Sequence, residues 1–429
     1  MTRLVYTIFV LALLPWAVLH LLWRARRQPE YLRHWGERFG AFPAADNRDA
    51  NLPTIWLHAV SVGETRAAQP LVAALREAYP GHRILFTHMT PTGRATCTAL
   101  FGDSVERVYL PYDTPWAVRR FLRRYRPRFG LIMETELWPN LIAACGSGGV
   151  PLCLVNARLS ERSARRYAKF AALTRDALQG LAAIGAQSAD DAARLEALGA
   201  QGVTVTGNVK FDITAPQDQL ELAGKLRAGY GERPVWLAAS TREGEEALIL
   251  DAWRSLTQNG AGSTGGGAAP LLVVVPRHPQ RFDEVARRAV ERGFATQRRS
   301  DSSDVAATTR ILVGDSMGEM FAFYASADLA FIGGSLLDFG SQNLIEAAAC
   351  GTPILIGPST RNFADAAREA IACGAALPIR DADDLVRQAV ALLANAAGRQ
   401  GMAAAGRAFA ERHRGATAST LRLISRAAR

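Results

Sequence analysis

Twelve short runs rich in Val, Ile, Leu and Phe punctuate this chain, and they are continuous rather than alternating. Seven lie in the first half (54–60, 83–88, 107–111, 129–134, 151–156, 182–186 and 203–206) and five in the second (235–240, 271–276, 310–313, 329–332 and 353–356). A strand with one wet face alternates apolar and polar residues. A continuous apolar strand is covered on both faces, the condition of parallel strands in α/β proteins. Helical stretches separate the runs, so the pattern predicts two doubly wound α/β domains. A length of 429 residues supplies a sizeable core for each.

The boundary is expected near 211–221, where the Pro-containing segment DITAPQDQ interrupts the pattern. This divides the chain into 1–30, 31–213 and 214–429. Within 259–269 (NGAGSTGGGAA), Gly260 to Gly265 formally spell GxGxxG. A dinucleotide fingerprint needs a strand before it and a helix after it, and here the order is reversed. The run reads as a surface insertion, and no nicotinamide or flavin cofactor is expected.

Residues 4–23 are almost wholly apolar, with Thr7, Pro15 and His20 as the main exceptions, and Arg24, Arg26 and Arg27 follow at once. About 20 such residues are enough to cross a bilayer. No small-x-small cleavage site follows, which argues against a cleaved signal peptide. The arginine flank predicts a globular body on the cytoplasmic side. Either the segment spans once or it lies in the interface. Pro15, Tyr6, Phe9, Trp16 and Trp23 are compatible with both.

Charge is unevenly spread: 26 basic and 17 acidic residues in 1–213, against 24 and 23 in 214–429. The first half therefore faces something anionic. Arg119 to Arg128 and the later Arg158, Arg162, Arg165, Arg166 and Lys169 carry much of the excess. Beside an anchor, anionic inner-membrane lipids are the expected partner; no RNA-binding module is present, and no nucleic acid is expected. Cys97, Cys145, Cys153, Cys350 and Cys373 form no CxxC, which excludes a disulfide scaffold or zinc ribbon and fits a reducing compartment. The seven histidines show no HExxH or close pair, so no metal site is expected.

Ligands of doubly wound sheets bind at the carboxyl ends of strands, and the polar groups there are the candidates. The first set is His58-Ala-Val-Ser61-Val-Gly63-Glu64. Ser61-x-x-Glu64 reads as a capping box, or Glu64 reads as a base for an acceptor hydroxyl. The two are compatible only where Glu64 turns away from the cap. The second is Met133-Glu134-Thr-Glu136, either a solvated loop or paired carboxylates that shift each other's pKa. The third is Asn208-Val-Lys210, where Lys210 is a surface lysine or meets an anion in a cleft.

In the second half the candidates are Pro276 and Arg277, the run from Gly314 to Glu319, the turn Gly333-Gly334-Ser335, and Asn343 to Glu346. Glycine turns and helix N-termini offer N–H groups to a phosphate, and Arg277 adds a guanidinium fork. Asn343-x-x-Glu346 also reads as a cap. Gly314-Asp-Ser316-Met-Gly318 formally matches a GxSxG elbow, but the later histidine it would need is His413 alone, in an Arg- and Ala-rich terminal helix.

Taken in order, SVGET, TPTG, LPYD, METELWPN, NARLS, VTGNVKFD, PRHPQRF, GDSMGEM, GGS and NLIEAAA closely resemble the 3-deoxy-D-manno-octulosonic acid (Kdo) transferases of lipopolysaccharide synthesis. The anchor and RxWGERFG match as well, so the resemblance covers essentially the whole chain. It implies a GT-B glycosyltransferase fold of two Rossmann-like domains. The N-terminal one would bind the acceptor and the C-terminal one the donor. It implies transfer of Kdo from CMP-Kdo to the lipid A precursor (lipid IVA), with inversion, at the cytoplasmic face of the inner membrane.

The family's base falls on Glu64, its second important carboxylate on Glu134 and its stabilising lysine on Lys210. The CMP contacts fall on Pro276, Arg277, Met317, Gly318, Glu319, Asn343, Leu344, Ile345 and Glu346. The resemblance implies no metal and no cofactor beyond the donor. Two positions depart from the family pattern: Leu344 where a Pro is common, and Ser341 where a Gly is common. The second puts a loop conformation in question.

Overall fold

A computed structural model describes residues 1–42, 52–258, 269–301 and 304–428. The chain divides into two compact units, Met1–Ile213 with His413–Arg429, and Thr214–Arg412. The first holds a seven-stranded sheet: β1 (Thr54–His58), β2 (Arg83–His88), β3 (Glu106–Tyr109), β4 (Pro127–Met133), β5 (Leu152–Ala157), β6 (Ala183–Ala186) and β7 (Val203–Val205). Their order is β3-β2-β1-β4-β5-β6-β7, and every pair is parallel.

The apolar runs behave as both-face-covered strands should. In β1, Ile55 and Leu57 enter one core with Phe86, Phe129 and Leu131, while Trp56 enters the other with Phe121 and Leu154. Order reverses between β1 and β4, which opens a crevice at their carboxyl ends.

The second unit repeats the plan with β8 (Val235–Thr241), β9 (Leu271–Pro276), β10 (Thr296–Arg298), β11 (Ile311–Val313), β12 (Leu329–Ile332), β13 (Ile354–Ile356) and β14 (Ala376–Pro378). The order is β10-β11-β9-β8-β12-β13-β14, again all parallel, with the reversal between β8 and β12. The edge strands β10 and β14 are absent from the sequence reading. Each has three residues: Thr296–Arg298 is polar and half-buried throughout, and Ala376–Pro378, though apolar, is too short to mark a strand. The glycine-rich 259–268 lies outside the described residues.

A second correction concerns the chain's end. The sequence pattern places 413–429 in the second domain, yet this segment groups with the first unit. The helix Ala416–Ala427 buries Ala416, Thr417, Thr420 and Ile424, and Ala416 and Ile424 join the core that holds Ile55 and Phe86. Its N-terminus is tied down by Asp212, whose carboxylate accepts from the N–H of Gly415 (2.6 Å) and of Thr417.

The apolar N-terminal segment forms one helix, Arg3–Ala25, long and apolar enough to cross a membrane. All five cysteines are free thiols.

Candidate functional site

Two of the predicted carboxylates flank the reversal point of the first sheet. Glu64 follows β1 in the short helix Val62–Ala67, and Glu134 is the residue after β4. Glu134 holds φ at +59° while its N–H continues the ladder to Val155 O (3.0 Å). A left-handed backbone at a residue with a side chain costs about 1–3 kcal/mol, and such strain collects at working sites.

Lys210 reaches the same place from a distant part of the chain. Its Nζ donates to Glu134 Oε1 at 3.0 Å, and both side chains are largely covered. The turn that carries it, Val209–Asp212, is built by two asparagines. Asn208 Oδ1 accepts from the Lys210 N–H (3.0 Å), and the buried Asn156 of β5 accepts from the Val209 N–H (3.1 Å). Asn156 is itself at φ +53°. The motifs NARLS and VTGNVKFD therefore meet at one strand end.

Glu64 does not turn away from the cap, as the sequence reading required. Its Oε2 accepts from the Val60 N–H (2.7 Å), its Oε1 from the Ser61 hydroxyl (2.9 Å), and Ser61 caps the helix. Two lone pairs of the carboxylate remain beyond these bonds, so capping and proton acceptance coexist in the inward rotamer. Burial raises the Glu64 pKa to about 7, with the Glu134 charge adding to the rise and the two hydrogen bonds opposing it. Glu136 joins the group: burial lifts it to about 7 as well, again with Glu134 contributing. Three carboxylates and one ammonium thus share the carboxyl ends of β1 and β4. Two of those acids titrate near neutrality, the range in which a group can both take and return a proton.

In the second unit the exits of β8, β9, β11 and β12 converge. Arg277 N donates to Thr241 O (3.0 Å). Ser240 Oγ sits 3.8 Å from Met320 Sδ, which ties the GDSMGEM segment to β8. Arg277 and Glu346 both lie within electrostatic reach of the buried Tyr324 phenol. Asn343 Oδ1 accepts from the Ile345 N–H (3.0 Å), and Asn343 Nδ2 donates to Glu346 Oε1 (3.1 Å); this is an Asx turn ahead of the helix Ile345–Cys350, whose N-cap is Leu344, so the expected Asn343 cap is not formed.

Pro276, Leu344 and Ile345 are buried, so they offer a ligand backbone rather than side chain. Met317 is exposed, Gly318 turns at φ +85°, and Glu319 is held by Ser316 Oγ (2.5 Å) and Arg299 Nε (3.3 Å). Ser316 thus donates to a carboxylate, and His413 packs on Phe211 in the first unit (4.6 Å between ring centroids).

Several contributors were missed from sequence. Ser240 and Thr241 close β8 and Arg242 follows it, and their position at a strand end is the available signal. Arg242 Nη1 lies 2.9 Å from His278 Nε2. His278 is lowered by burial and by Arg242, Arg277 and Arg281, a cluster of guanidiniums suited to a phosphate. The buried Glu245 accepts from the N–H groups of Gly334 (2.7 Å), Arg242 (2.8 Å) and Leu336 (3.0 Å), fixing the turn after β12. A Cβ at Gly333 would stand 2.5 Å from Ser240 O, so only glycine lets β12 pass this close to β8.

Comparison with known proteins bears on these arrangements. Residues 33–213 match the family described as 3-deoxy-D-manno-octulosonic-acid transferase (kdotransferase). A 3-deoxy-D-manno-octulosonic acid transferase of Bordetella pertussis is 47% identical over 428 residues, covering 98% of each chain. One from Haemophilus influenzae is 36% identical over 429 residues, covering 99% of this chain and 98% of that one. The crystal structure of a glycosyltransferase from Rickettsia africae aligns with 88% of this chain and 99% of its own, with a TM-score of 0.58 at 12% identity. It shares the GT-B-like fold.

Proposed function

Because the chain belongs to the 3-deoxy-D-manno-octulosonic acid transferase family of lipopolysaccharide synthesis, we propose that it transfers Kdo from CMP-Kdo to the lipid A precursor lipid IVA. In this reading an acceptor hydroxyl attacks the anomeric carbon of Kdo while the bond to the CMP phosphate breaks, and the configuration inverts. Glu64 takes the hydroxyl proton. CMP departs as a phosphate anion, which needs cations and N–H donors rather than a general acid. The transition state resembles an oxocarbenium ion, as in glycoside hydrolysis.

The observation that carries this reading is the group of Glu64, Glu134 and Lys210 at the reversal point of the first sheet, with Glu64 at a pKa of about 7. Glu134 supplies a carboxyl group held in place by Lys210 at the reacting centre. Lys210 meets the Kdo carboxylate or the leaving phosphate. Arg277, with Arg242 beside it, and the N–H groups around Gly334 and Asn343 receive the nucleotide. The helix Arg3–Ala25 holds the enzyme at the cytoplasmic face of the inner membrane, where the basic first unit meets anionic lipids and the acceptor's phosphates.

The test is incubation of detergent-purified protein with CMP-Kdo and lipid IVA, read by product mass. Glu64→Gln should lower turnover by about a hundredfold or more while CMP affinity stays within about twofold. Retained turnover, or lost CMP binding, contradicts the role given to Glu64. Protection by uridine rather than cytidine nucleotides in a melting assay contradicts the donor.

A further inference from the structure

The first two turns of the helix Arg3–Ala25 touch the globular part of the first unit. Thr7 Oγ1 donates to Asn140 Oδ1 at 2.9 Å. Asn140 opens the helix Pro139–Ser147, and its own N–H donates to the buried Asp113 (2.9 Å). Burial raises Asp113 to about 6, opposed by the amides of Asn140 and Leu141 and by the Tyr6 phenol beside it. A cavity of about 550 Å³ is shared by Arg3, Leu4 and Thr7 with Arg119, Leu122 and Arg123. At its other end the helix packs Leu21 and Ala25 against Tyr31, just before the chain enters the body.

Both ends of a helix about 34 Å long are thus on the same side as the body. A spanning helix would put about 30 Å of hydrocarbon between Thr7 and Asn140. We infer that this helix does not cross the bilayer but lies in the plane of its surface, seated on the body by Tyr6 and Thr7. Its free side is apolar: Leu4, Ile8, Phe9, Trp16, Leu19 and Trp23 are all exposed. Of the large apolar side chains exposed anywhere in the described residues, all but Leu220, Leu248, Val290 and Met317 belong to the first unit.

The occupant of this face is an anionic phospholipid surface, and charge complementarity identifies it. Arg3 stands at one end of the apolar stripe and Arg24, Arg26 and Arg27 at the other. Arg119, Arg120 and Arg123 are exposed on the adjoining helix Pro115–Tyr125, together with Trp116. An apolar stripe bordered by arginine and tryptophan is the composition of an in-plane anchor.

The seating also places the bilayer beside the carboxylate group. Tyr6 lies within electrostatic reach of Tyr167, whose hydroxyl is 3.4 Å from Thr135 O in the Glu134–Glu136 loop. The head of an amphiphilic acceptor then needs little lift to reach Glu64. The inference rests on reading the helix as a membrane anchor, and its test separates the two.

The full chain carrying Thr2→Cys is added to preformed vesicles of phosphatidylethanolamine with a quarter phosphatidylglycerol. It is then exposed to a membrane-impermeant maleimide, with the parent chain as blank. In-plane seating predicts the same labelling with and without detergent. Labelling that appears only after detergent means that the helix spans, and overturns the inference. A chain that stays free of vesicles overturns the anchor reading itself. Replacing both lipids with phosphatidylcholine should weaken binding by about 10- to 100-fold, and unchanged binding refutes the anionic occupant. In the vesicle-bound chain, Thr7→Val should speed amide exchange in the first two turns by about tenfold. No change there would refute the seating contact.

Discussion

The clamp between Asp212 and the terminal helix offers a direct test of how a remote segment supports the site. The Asp212 carboxylate accepts two backbone N–H groups, from Gly415 and Thr417, at the start of Ala416–Ala427. Hydrogen bonds to a charged group contribute about 1.5–3 kcal/mol, and a negative charge at a helix N-terminus adds about 0.3–1 kcal/mol. Asp212→Asn keeps one carbonyl acceptor and loses the charge and one bond, so the helix should be released by about 2 kcal/mol. Asp212→Ala should cost about 3–4 kcal/mol by the same reasoning.

A loss of 2 kcal/mol raises the opening equilibrium by about 30-fold, and amide exchange across Ala416–Ala427 should accelerate accordingly. Exchange in β1 and β4 should not change. Lys210 shares its turn with Asp212, so transfer should slow while CMP affinity is preserved. Unchanged exchange in the terminal helix would refute the clamp. Equal acceleration in β1 and β4 would show that the helix does not open as a separate element.

Two other perturbations have signs fixed by the structure. Ser341 sits at φ +71° with its N–H on Gly334 O (2.7 Å), the conformation that glycine adopts without strain. Ser341→Gly should therefore raise stability by about 0.5–1 kcal/mol in urea unfolding, and a loss would show that the hydroxyl's bond to Gln342 O outweighs the strain. Glu136 has its folded pKa raised to about 7 by burial and by Glu134, so its stabilising contribution is full below about pH 4.5 and is lost as pH rises through 7. Relative to the parent, Glu136→Gln should then gain about 1–2 kcal/mol between pH 5.5 and 8, after allowance for the part of its carboxyl that solvent reaches; equal differences at both pH values would contradict the assignment.

How far these features were legible depends on the length of chain that encodes them. The central strands are continuous apolar runs, and burial on both faces leaves that mark in sequence. Thr296–Arg298 lies at a sheet edge, where pairing needs only three backbone units and no apolar run. The terminal helix shows an apolar side, but periodicity does not say which sheet that side meets. Its partner Asp212 lies 203 residues away from Gly415. Glu64, Glu134 and Lys210 were each visible as a polar residue at a strand exit, whereas their meeting depends on Asn156 and Asn208 holding the 209–212 turn. Arg242 was missed because it follows an ordinary-looking run, with no glycine turn to mark it.

The placement of the single ammonium assigns different work to the acids. Glu134 is strained in its backbone and held at 3.0 Å by Lys210, so its position is set before any substrate arrives. Glu64 accepts from two neutral donors, the Val60 amide and the Ser61 hydroxyl, which orient it. A base must be held in place yet keep an appetite for a proton near the working pH. Burial and the neighbouring Glu134 supply that appetite, and the cap supplies the placement. The capping box and the proton acceptor, which in sequence are competing explanations of one glutamate, become in the folded protein two parts of the same arrangement.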